Sequence, residues 1–563
     1  MTMKRILTYC LFLILLPAAA LRGTEPLRER VYLSTDREVY VAGEAVWLSA
    51  WCVDATSGRL SAFSKIAYVE LHSPGAMVRT AKIALQDGRG AGRLFLPASL
   101  PTGNYRLIAY TALGASEEGF DPGTGARTLS VFNTFSNERI AEGVTVVSAP
   151  PQAAALREGG PLQIETGPAT ANGTTSLRLA NHGDEPIQFS LGVRHDDGIP
   201  APQGQHITDF IDGLSRLPAA SSFDGRSIPE YEGEIIRARV SGTDAAGLRA
   251  LRFKHAFIST PGNGSNLYTE SLDDEGAVTF FTSNIYGDQN MFLEIEDVDN
   301  VCHLELLSPF RNLPAGDIPA LQLSEAYAPA LELRSLGMQL EHHFEADTLY
   351  AALPLHEHPV FDPRESRSYI LDDYTRFPVM EELFTEFITE LRVRRVNGKR
   401  ELQVLTTNQS GDGSFRRGNA LILLDGVPVL DTEKILGYDP LLVKRIDIYP
   451  YSYLLGSRSF TGVVNFVTYQ GTLPSMQFED NVRIVDYQGC SLPLAYTCEG
   501  VDAEYPDYRQ TLYWHPLLTL APGESRIIEC KTPAYSGRFE AVAEGLTQSG
   551  RSLSAHSVFT SVR

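Results

Sequence analysis

The sequence predicts a mainly β, multidomain protein, and three observations lead to that prediction: the length, the turn residues and the short apolar runs. The chain has 563 residues, and because a domain usually holds about 100–200 residues, several domains are expected. Its 47 glycines and 33 prolines suit many short strands joined by turns. Hydrophobic residues make up 43% of the chain and charged residues 21%, so each domain can bury a core.

The charge balance excludes some classes of partner. There are 48 Lys and Arg residues against 69 Asp and Glu residues, which gives a net charge of −21. Because an acidic excess of this size repels phosphate groups, neither nucleic acid nor an anionic membrane surface is expected as the main partner.

The first 20 residues have the pattern of a secretory signal peptide. Lys4 and Arg5 precede an apolar run over residues 6–16, and three alanines at 18–20 form a small-residue cleavage site. The run is too short for a membrane anchor, since a spanning helix needs about 20 apolar residues. Cys10 lies inside the run, which does not fit a lipid-modified cysteine. No later stretch reaches spanning length, so no transmembrane segment is expected after cleavage.

Cysteine usage leaves the disulfide pattern open. The chain has 6 cysteines, and cleavage would remove Cys10, so the remaining odd number cannot pair completely within one chain. In an oxidising compartment one pair among Cys490, Cys498 and Cys530 could form a disulfide. The spacing of Cys490 and Cys498 does not match a zinc knuckle.

Turn residues and shifts in composition divide the rest of the chain into predicted domains. A β-sandwich is predicted over residues 24–135, where apolar runs such as 45–53 alternate with Gly- and Pro-containing turns. A linker rich in Pro and Ala follows at 149–155, and residues 200–227 are predicted as a loop. The other predicted units are a small β-unit at 160–200, a sandwich-like unit at 228–312, a mixed α+β domain at 322–475 and a C-terminal β-sandwich at 480–563.

Two helices are predicted, both within the α+β domain. Apolar residues recur at helical spacing from Val379 to Leu391 with glutamates between them, which indicates an amphipathic helix. A second helix is expected over Tyr327 to Phe344. Strands return at 421–424 and beyond, which gives this segment its mixed character.

Residues 34–47 carry the clearest motif of the N-terminal segment. Thr35 and Asp36 precede a Tyr and a Gly-Glu turn, and a long strand follows. Tyr513-Trp514 and a later Gly-containing turn repeat this kind of strand set near the C-terminus. Both pieces resemble the macroglobulin-type domains of alpha-2-macroglobulin-like proteins, although Ala42 stands where that family has Pro. The family's thioester motif is absent at Cys490, so covalent trapping is not expected.

A second motif lies at residues 421–429, which read Leu-Ile-Leu-Leu-Asp-Gly-Val-Pro-Val. A strand at 443–448 and a Gly-initiated strand at 462–468 follow. This order resembles the plug domain of TonB-dependent receptors, although Tyr449-Pro450 stands where that family has Arg-Gly. Too few residues follow position 468 for a receptor barrel.

The two resemblances together refine the predicted fold class and suggest an origin. They imply macroglobulin/Ig-like β-sandwiches with one α+β plug-like domain. This combination, without a barrel, is similar to exported proteins of the Bacteroidetes type.

Two features of the plug-like segment are candidate interaction sites. Asp425-Gly426 could form a recognition loop, but a two-residue turn in which Gly takes a positive φ is the favoured interpretation. Tyr449, Tyr451 and Tyr453 form an aromatic string, and tyrosine offers rigid contact area at low entropic cost. Simple core packing is the alternative for this string.

No catalytic residue, cofactor or metal site is predicted. A Gly-x-Ser-x-Gly elbow is absent. The strongest metal candidate lacks the His-Glu-x-x-His pattern and fits no standard zinc spacing, so a polar surface is the preferred interpretation. Its members are His342, His343, Glu345, His356 and His358.

These observations predict a non-catalytic exported protein of a Gram-negative cell envelope that acts as a binding or assembly scaffold. It would lie in the periplasm or associate with the outer membrane, with the cell surface as a further location, and its expected partner is an outer-membrane or other envelope protein. The alternatives are an accessory subunit of a TonB-dependent uptake system, a macroglobulin-like protease inhibitor and a metal-dependent hydrolase.

Overall fold

The computed structural model describes residues 27–148, 158–202, 206–218, 222–224, 228–262, 266–283, 285–296, 302–344, 350–355, 360–396, 398–407, 413–416, 420–496 and 506–563. Strands dominate these ranges, which confirms the mainly β, multidomain class. The predicted signal peptide (1–20) and linker (149–155) lie outside them. Within the described ranges, no helix is long and apolar enough to cross a membrane.

In the N-terminal sandwich, two sheets of mainly antiparallel strands pack against each other around one core. Its strands are β1 (Glu29–Thr35), β2 (Val39–Val41), β3 (Ala45–Asp54), β4 (Ile66–Ser73), β5 (Ala76–Ala84), β6 (Arg89–Phe95), β7 (Gly103–Tyr110) and β8 (Arg127–Phe132). One sheet has the order β1-β3-β6 and the other β2-β8-β7-β4-β5. Alternate apolar residues such as Leu33, Leu48, Val69 and Leu107 fill the space between them.

A second sandwich combines three segments that are distant in sequence, and we call it the discontinuous sandwich. Its strands are β10 (Leu162–Thr166), β11 (Ala169–Thr170), β12 (Thr174–Asn181), β13 (Ile187–His195), β21 (Tyr350–Ala352), β31 (Leu494–Tyr496), β32 (Thr511–Leu520), β33 (Ser525–Lys531), β34 (Gly537–Thr547) and β35 (Ser552–Val562). The larger sheet has the order β11-β35-β34-β13-β32-β31-β21, and the smaller one β10-β12-β33.

Strand pairing joins segments that the sequence analysis assigned to separate units at 160–200 and 480–563. Strand β13 lies between β32 and β34, so both of its neighbours in the larger sheet come from the C-terminal segment. The physical reason is that a few strands alone cannot bury an apolar face. Phe189 and Leu191 are fully buried only because both neighbours and the facing sheet cover them.

The third sandwich follows the predicted unit at 228–312 and gains one strand from the C-terminal segment. Its elements are β14 (Ile235–Ser241), α2 (Ala245–Ala250), β15 (His255–Ser259), β16 (Leu267–Ser271), β17 (Ala277–Phe281), β18 (Asp288–Ile295), β19 (His303–Leu306) and β30 (Arg483–Gln488). Its sheets have the orders β17-β14-β19 and β16-β15-β18-β30. Residues 483–488 therefore belong here and not to the predicted unit at 480–563.

The α+β unit carries a five-stranded sheet of order β22-β28-β29-β26-β27 and a smaller sheet of order β23-β24-β25. Its elements are β22 (Arg367–Ile370), α4 (Met380–Glu386), β23 (Leu391–Val396), β24 (Lys399–Thr407), β25 (Gly413–Phe415), β26 (Leu421–Leu424), β27 (Val427–Pro428), α5 (Thr432–Leu436), β28 (Val443–Leu455) and β29 (Arg458–Thr468). Helix α4 is shorter than the predicted helix at 379–391, because Leu391 already begins a strand paired with β24.

Helix α3 (Ala328–His343) confirms the second predicted helix, but it packs on the N-terminal sandwich. Met338 shares a core with Val39 and Val41 of β2, and Arg334 donates a hydrogen bond to the carbonyl oxygen of Val39 at 2.7 Å. Nearby, β9 (Thr145–Val146) pairs with β20 (Gln322–Leu323). Residues 322–343 of the predicted 322–475 domain therefore pack with the N-terminal segment and not with the α+β unit.

Part of the predicted loop at 200–227 is helical. Helix α1 (Ile207–Leu214) places Ile207, Phe210 and Leu214 on one buried face. The Phe210 ring lies 5.3 Å from the Tyr32 ring of β1. The prediction of a loop over these residues was wrong, because the three apolar residues recur at helical spacing and bury one face of a helix among the polar residues.

A buried carboxylate of β34, at what we call the Glu544 junction, joins the discontinuous sandwich to the N-terminal one. Oε2 of Glu544 accepts hydrogen bonds from the Tyr32 hydroxyl at 3.0 Å and the Ser34 hydroxyl at 3.2 Å, and lies 3.1 Å from the Arg127 guanidinium. Burial alone would raise the pKa of Glu544. The positive charge of Arg127 and the hydrogen bonds, including one from His206, outweigh burial and lower the pKa to about 2.

A different buried carboxyl joins the third sandwich to the N-terminal one, at what we call the Glu230 junction. The Tyr68 hydroxyl donates to Oε1 of Glu230 at 2.6 Å, and the Ile235 N–H donates to the same oxygen at 3.0 Å. Beside them Lys82 pairs with Glu234 at 2.6 Å. Burial is the largest influence and raises the pKa of Glu230 to about 7, with the Glu234 charge acting in the same direction.

Candidate functional site

The five-stranded sheet of the α+β unit has one apolar face and one mixed face. Strand alternation on β28 points Ile446 and Ile448 into the core formed with helices α4 and α5. The residues between and beside them, Arg445, Asp447 and Tyr449, therefore lie on the opposite face. That opposite face is only partly covered, because the third sandwich packs on part of it through Phe257 and Leu267.

The part of this face that no described residue covers forms a cavity of about 250 Å³, which we call the sheet-face cavity. Three strands, β22, β28 and β29, supply most of its polar groups. Phe361, Leu423 and Val467 supply apolar walls, and Gly262 of the third sandwich lies at its rim. The polar lining residues are Ser366, Ser368, Asp425, Arg445, Asp447 and Asn465.

Asp425 and Gly426 form a two-residue turn between β26 and β27. Their φ angles are +48° and +83°, which are the left-handed values that both central residues of a type I′ hairpin turn need. The carboxylate of Asp425 accepts hydrogen bonds from the N–H of Thr468 at 2.7 Å, its hydroxyl at 2.7 Å and the N–H of Leu473 at 2.8 Å. Asp425 therefore holds two chain segments together beneath the cavity.

The three tyrosines of the aromatic string have different environments. Tyr449 is 7% exposed and Tyr451 is 44% exposed, although residues two apart on a regular strand share a face. A shift in strand register between Tyr449 and Ser452 breaks that alternation. Tyr449 and Tyr453 both contact Phe361, with ring centroids 5.2 and 5.3 Å away. The string is thus divided, with Tyr449 lining the cavity and Tyr451 facing outward.

Charge is concentrated at the centre of the cavity floor. Asp447 is buried, and its carboxylate accepts hydrogen bonds from the Ser368 hydroxyl at 2.6 Å and from Nε of Arg445 at 2.9 Å. The Arg445 side chain is 38% exposed and lines the cavity. Burial, followed by the charge of Asp447, raises the pKa of Tyr449 to about 12, so that its hydroxyl stays protonated at neutral pH.

The cavity offers hydrogen-bond donors beside an aromatic wall. Arg445 and the hydroxyls can donate, and Phe361 and Tyr449 offer ring surface. Asn465 has its Oδ1 occupied by the N–H of Gly426 at 3.1 Å, which leaves its NH₂ group directed to other partners. Among the described residues that line the cavity, no His or Cys accompanies the serines, so this set contains no Ser–His or Cys–His pair. The arrangement suits binding of carbonyl or carboxylate oxygens.

The histidine cluster is only partly described. Nε2 of His342 lies 2.9 Å from the carbonyl oxygen of Gly43, and the His343 ring contacts Phe344. Glu345, His356 and His358 lie outside the described residues. In the part of the chain that the structure describes, no group of three or more His, Cys, Asp or Glu side chains could hold a metal ion.

The structure also limits which disulfide can form among Cys490, Cys498 and Cys530. Cys490 and Cys530 are both buried, but they belong to different cores. They are therefore not bridged to each other. Cys498 lies outside the described residues.

Sequence reasoning found Asp425, Gly426 and Tyr449 but missed Arg445 and Asp447, which carry the charge of the cavity. A signal for them was present. Residues 445–449 alternate between polar or aromatic residues and isoleucine, which predicts a strand with two unlike faces. Ser368 had no such signal, because its position opposite Asp447 depends on the pairing of β22 with β28.

Comparisons with known proteins give distant likenesses in structure. No protein-family model and no curated protein matches the chain. A trypsin-activated alpha-2-macroglobulin from Escherichia coli is 9% identical over 96% of this chain and 42% of its own, with a TM-score of 0.25. The native Escherichia coli alpha-2-macroglobulin is 10% identical over 96% and 40%, with a TM-score of 0.23.

An Escherichia coli adhesin is 13% identical over 50% of this chain and 63% of its own, with a TM-score of 0.14. The chain thus spans about two fifths of the length of the macroglobulin chains, since it covers 42% and 40% of them. At such TM-scores these likenesses carry no argument. The assignment to the class of multidomain β-sandwich proteins therefore rests on the observed strand pairing.

Proposed function

We propose that this chain is an exported, non-catalytic scaffold of the cell envelope that binds a protein partner at the sheet-face cavity. One observation carries the proposal: the five-stranded sheet uses one face for its core, and the described residues leave a polar, aromatic-walled part of the other face uncovered. A preformed concave surface with a few convergent polar groups is typical of a binding site. The signal-peptide pattern at residues 1–20 supports export.

The surroundings of the cavity support a preformed site. The N–H of Gly262 donates to the carbonyl oxygen of Asp425 at 3.0 Å, which ties the third sandwich to the turn below the cavity. The ion pair of Arg458 with Glu296 makes a further connection between the same two units. Because little ordering is needed when a partner binds, more of the contact energy contributes to affinity.

The chemistry of the floor suggests what part of a partner would bind. Arg445 and Asn465 can donate to carboxylate or backbone carbonyl oxygens, and Phe361 can pack against an adjacent apolar or aromatic side chain. We therefore expect a peptide segment of an outer-membrane or other envelope protein. Such a segment would carry an acidic residue or a chain terminus next to an apolar residue.

A site-specific crosslinking experiment tests the proposal. A photoreactive residue at Ser366, inside the cavity, is expected to capture one envelope protein, and the same residue at Thr56 on an exposed turn of the N-terminal sandwich is not. Capture at Ser366 should be lost when Arg445→Gln is added. Arg538→Gln, which removes an ion-paired and more exposed guanidinium from β34, should leave capture unchanged. Equal capture from both positions would contradict the proposal.

The identity of the captured protein decides the finer function. A TonB-dependent receptor would make this chain an accessory subunit of an uptake system, whereas another envelope protein would make it an assembly scaffold. Export is tested separately by sequencing the N-terminus of the protein from envelope fractions. A mature chain that begins at Leu21 is expected, and an intact N-terminus at Met1 would argue against export by this route.

A further inference from the structure

A second cavity, of about 230 Å³, lies where helix α3 crosses the N-terminal sandwich and meets the discontinuous sandwich. We call it the helix cavity. Residues from β3, β6, α3, β21 and β31 contribute to it, and none of them lines the sheet-face cavity. The residues used below are Trp47, Arg93, Glu341, Tyr350 and Tyr496.

One wall of the helix cavity is aromatic and tightly packed. The rings of Trp47 and Tyr350 have centroids 4.9 Å apart in an edge-to-face arrangement. Tyr496 completes the wall, with its ring 6.0 Å from Trp47 and 5.6 Å from Tyr350. Trp47 and Tyr496 are both buried. Since each ring holds its neighbours in place, the wall offers fixed apolar surface to a ligand.

The cavity also contains charged groups, and some of them are already paired. Arg37 lies 3.0 Å from the carboxylate of Glu44 and 3.1 Å from that of Asp36. Glu44 additionally accepts a hydrogen bond from the N–H of Val41 at 2.7 Å. These groups therefore satisfy one another without a ligand.

Two further charged groups differ from these. Among the described residues, no hydrogen bond or close ion pair of the Glu341 carboxyl is seen, although the charges of Arg37 and Arg509 act on it. The guanidinium of Arg93 has no acidic partner in the same part of the chain. Arg93 instead lies over the rings of Phe95 and Tyr350, at 4.7 and 5.5 Å from their centroids. Burial, followed by the negative charge of Glu44, raises the pKa of Glu341 to about 7, and the positive charges of Arg37 and Arg509 only partly oppose this rise. A further cation in direct contact would stabilise the charged form of Glu341.

We propose that the helix cavity binds a small zwitterion, namely a free α-amino acid with an apolar side chain. Its ammonium group would pair with Glu341, its carboxylate with Arg93, and its side chain would pack on the wall of Trp47, Tyr350 and Tyr496. The two groups of opposite charge line the same cavity and are not paired with each other, so each is available to one end of a dipolar ligand. The volume of the helix cavity suits a ligand as small as an amino acid, because it is below the roughly 300–1,000 Å³ of pockets that bind drug-sized ligands.

Calorimetric titration of the full chain with three related probes tests the proposal directly. Leucine has both charges, leucinamide lacks the carboxylate and N-acetyl-leucine lacks the ammonium group. Leucine is expected to bind, and each of the other two to bind about tenfold more weakly or worse, because a lost hydrogen-bonded charge costs at least that much. No binding of leucine into the millimolar range would overturn the proposal, as would equal affinity for all three probes.

Variants then place the ligand in this cavity. Glu341→Gln and Arg93→Gln are each expected to weaken leucine binding about tenfold or more. Glu332→Gln, exposed on the same helix, and Arg79→Gln, exposed on β5, are matched controls that should leave it unchanged. Binding that survives both cavity variants would overturn the assignment. The chain has 3 Trp residues, of which Trp47 is in the wall, so a fluorescence change on binding that Trp47→Phe removes gives an independent measure of the site.

Discussion

The two buried carboxyl groups that join sandwiches to the N-terminal domain have opposite electrostatic environments. Glu544 lies against the Arg127 guanidinium, and its pKa is lowered to about 2. Glu230 has a phenol and a backbone N–H as hydrogen-bond donors, and its pKa is raised to about 7. Among the side-chain atoms described, Oε2 of Glu230 has no hydrogen-bond partner, which suits a protonated acid.

The difference shows that burial alone does not decide how a carboxyl group contributes to a domain junction. A buried carboxylate is stable when a cation and several donors replace the lost water. Without a direct cation, the same side chain is better held as the neutral acid. The two junctions should therefore respond differently to mutation and in opposite directions to pH.

The largest effect is expected from Glu544→Gln. The substitution leaves the Arg127 guanidinium buried without its main carboxylate, and breaking a buried pair in this way costs about 3–5 kcal/mol. Urea denaturation measures the loss in the free energy of unfolding. Glu529→Gln, exposed on β33, is the control and should stay within about 0.5 kcal/mol of the wild type. A loss as small as the control's would show that the comparison is mistaken.

The second-largest expected effect is the change in the stability of the protein with pH that Glu230 causes. The folded pKa of Glu230 is raised from 4.5 to about 7, so the folded state binds the proton more tightly than the unfolded state. Its contribution is fully present below about pH 4.5 and is lost as pH rises through 7, which amounts to about 3 kcal/mol. Glu230→Gln keeps a neutral side chain and should remove this fall in stability.

The test is the difference in unfolding free energy between the wild type and Glu230→Gln across that pH window. For Glu544 the sign is the reverse, because its folded pKa is lowered. That contribution is present above about pH 4.5 and is lost as pH falls towards 2. A difference between wild type and Glu230→Gln that stays constant from pH 4.5 to 8 would contradict the assignment of Glu230.

The smallest effect is expected from removing one hydroxyl at each junction. Tyr68→Phe takes away the only side-chain hydroxyl seen donating to Glu230 in the described residues, and should cost about 1–2 kcal/mol. Tyr32→Phe should cost less, about 0.5–1 kcal/mol, because Ser34 and Arg127 still contact the same oxygen of Glu544. Thermal unfolding of the two variants side by side checks the order, and a larger loss for Tyr32→Phe than for Tyr68→Phe would contradict it.

Local patterns were enough to predict the elements that depend on neighbouring residues. The Asp425-Gly426 turn and the helix ending near His343 follow from residue types within a few positions. The helix predicted at 379–391 was too long, because residues 391–396 also alternate as a strand does and pair with β24. The same apolar residues fit either a helix or a strand, and pairing with β24 favours the strand from Leu391 onward.

Long-range pairing was beyond the reach of the sequence. No local feature of residues 160–200 shows that their partners lie at 511–547. The same limit applies to the sheet-face cavity, where Asp425 and Tyr449 were predicted but Ser368 was not. Its place next to Asp447 arises only when β22 pairs with β28. The alternation of residue types on β28 predicts that the strand has one mixed face. It does not predict which other elements pack on that face.

The interleaved strands of the discontinuous sandwich have a consequence for the order of events during synthesis. The Ser190 hydroxyl of β13 donates to the carbonyl oxygen of Glu544 across 354 residues of chain. Strand β13 is made early, yet both of its neighbours are among the last strands to emerge. The apolar residues of β13 stay exposed to solvent while most of the protein is synthesised. Closing the long chain segment between β13 and its partner strands also slows folding. A nascent chain of this protein should therefore depend on chaperones until its final strands are complete.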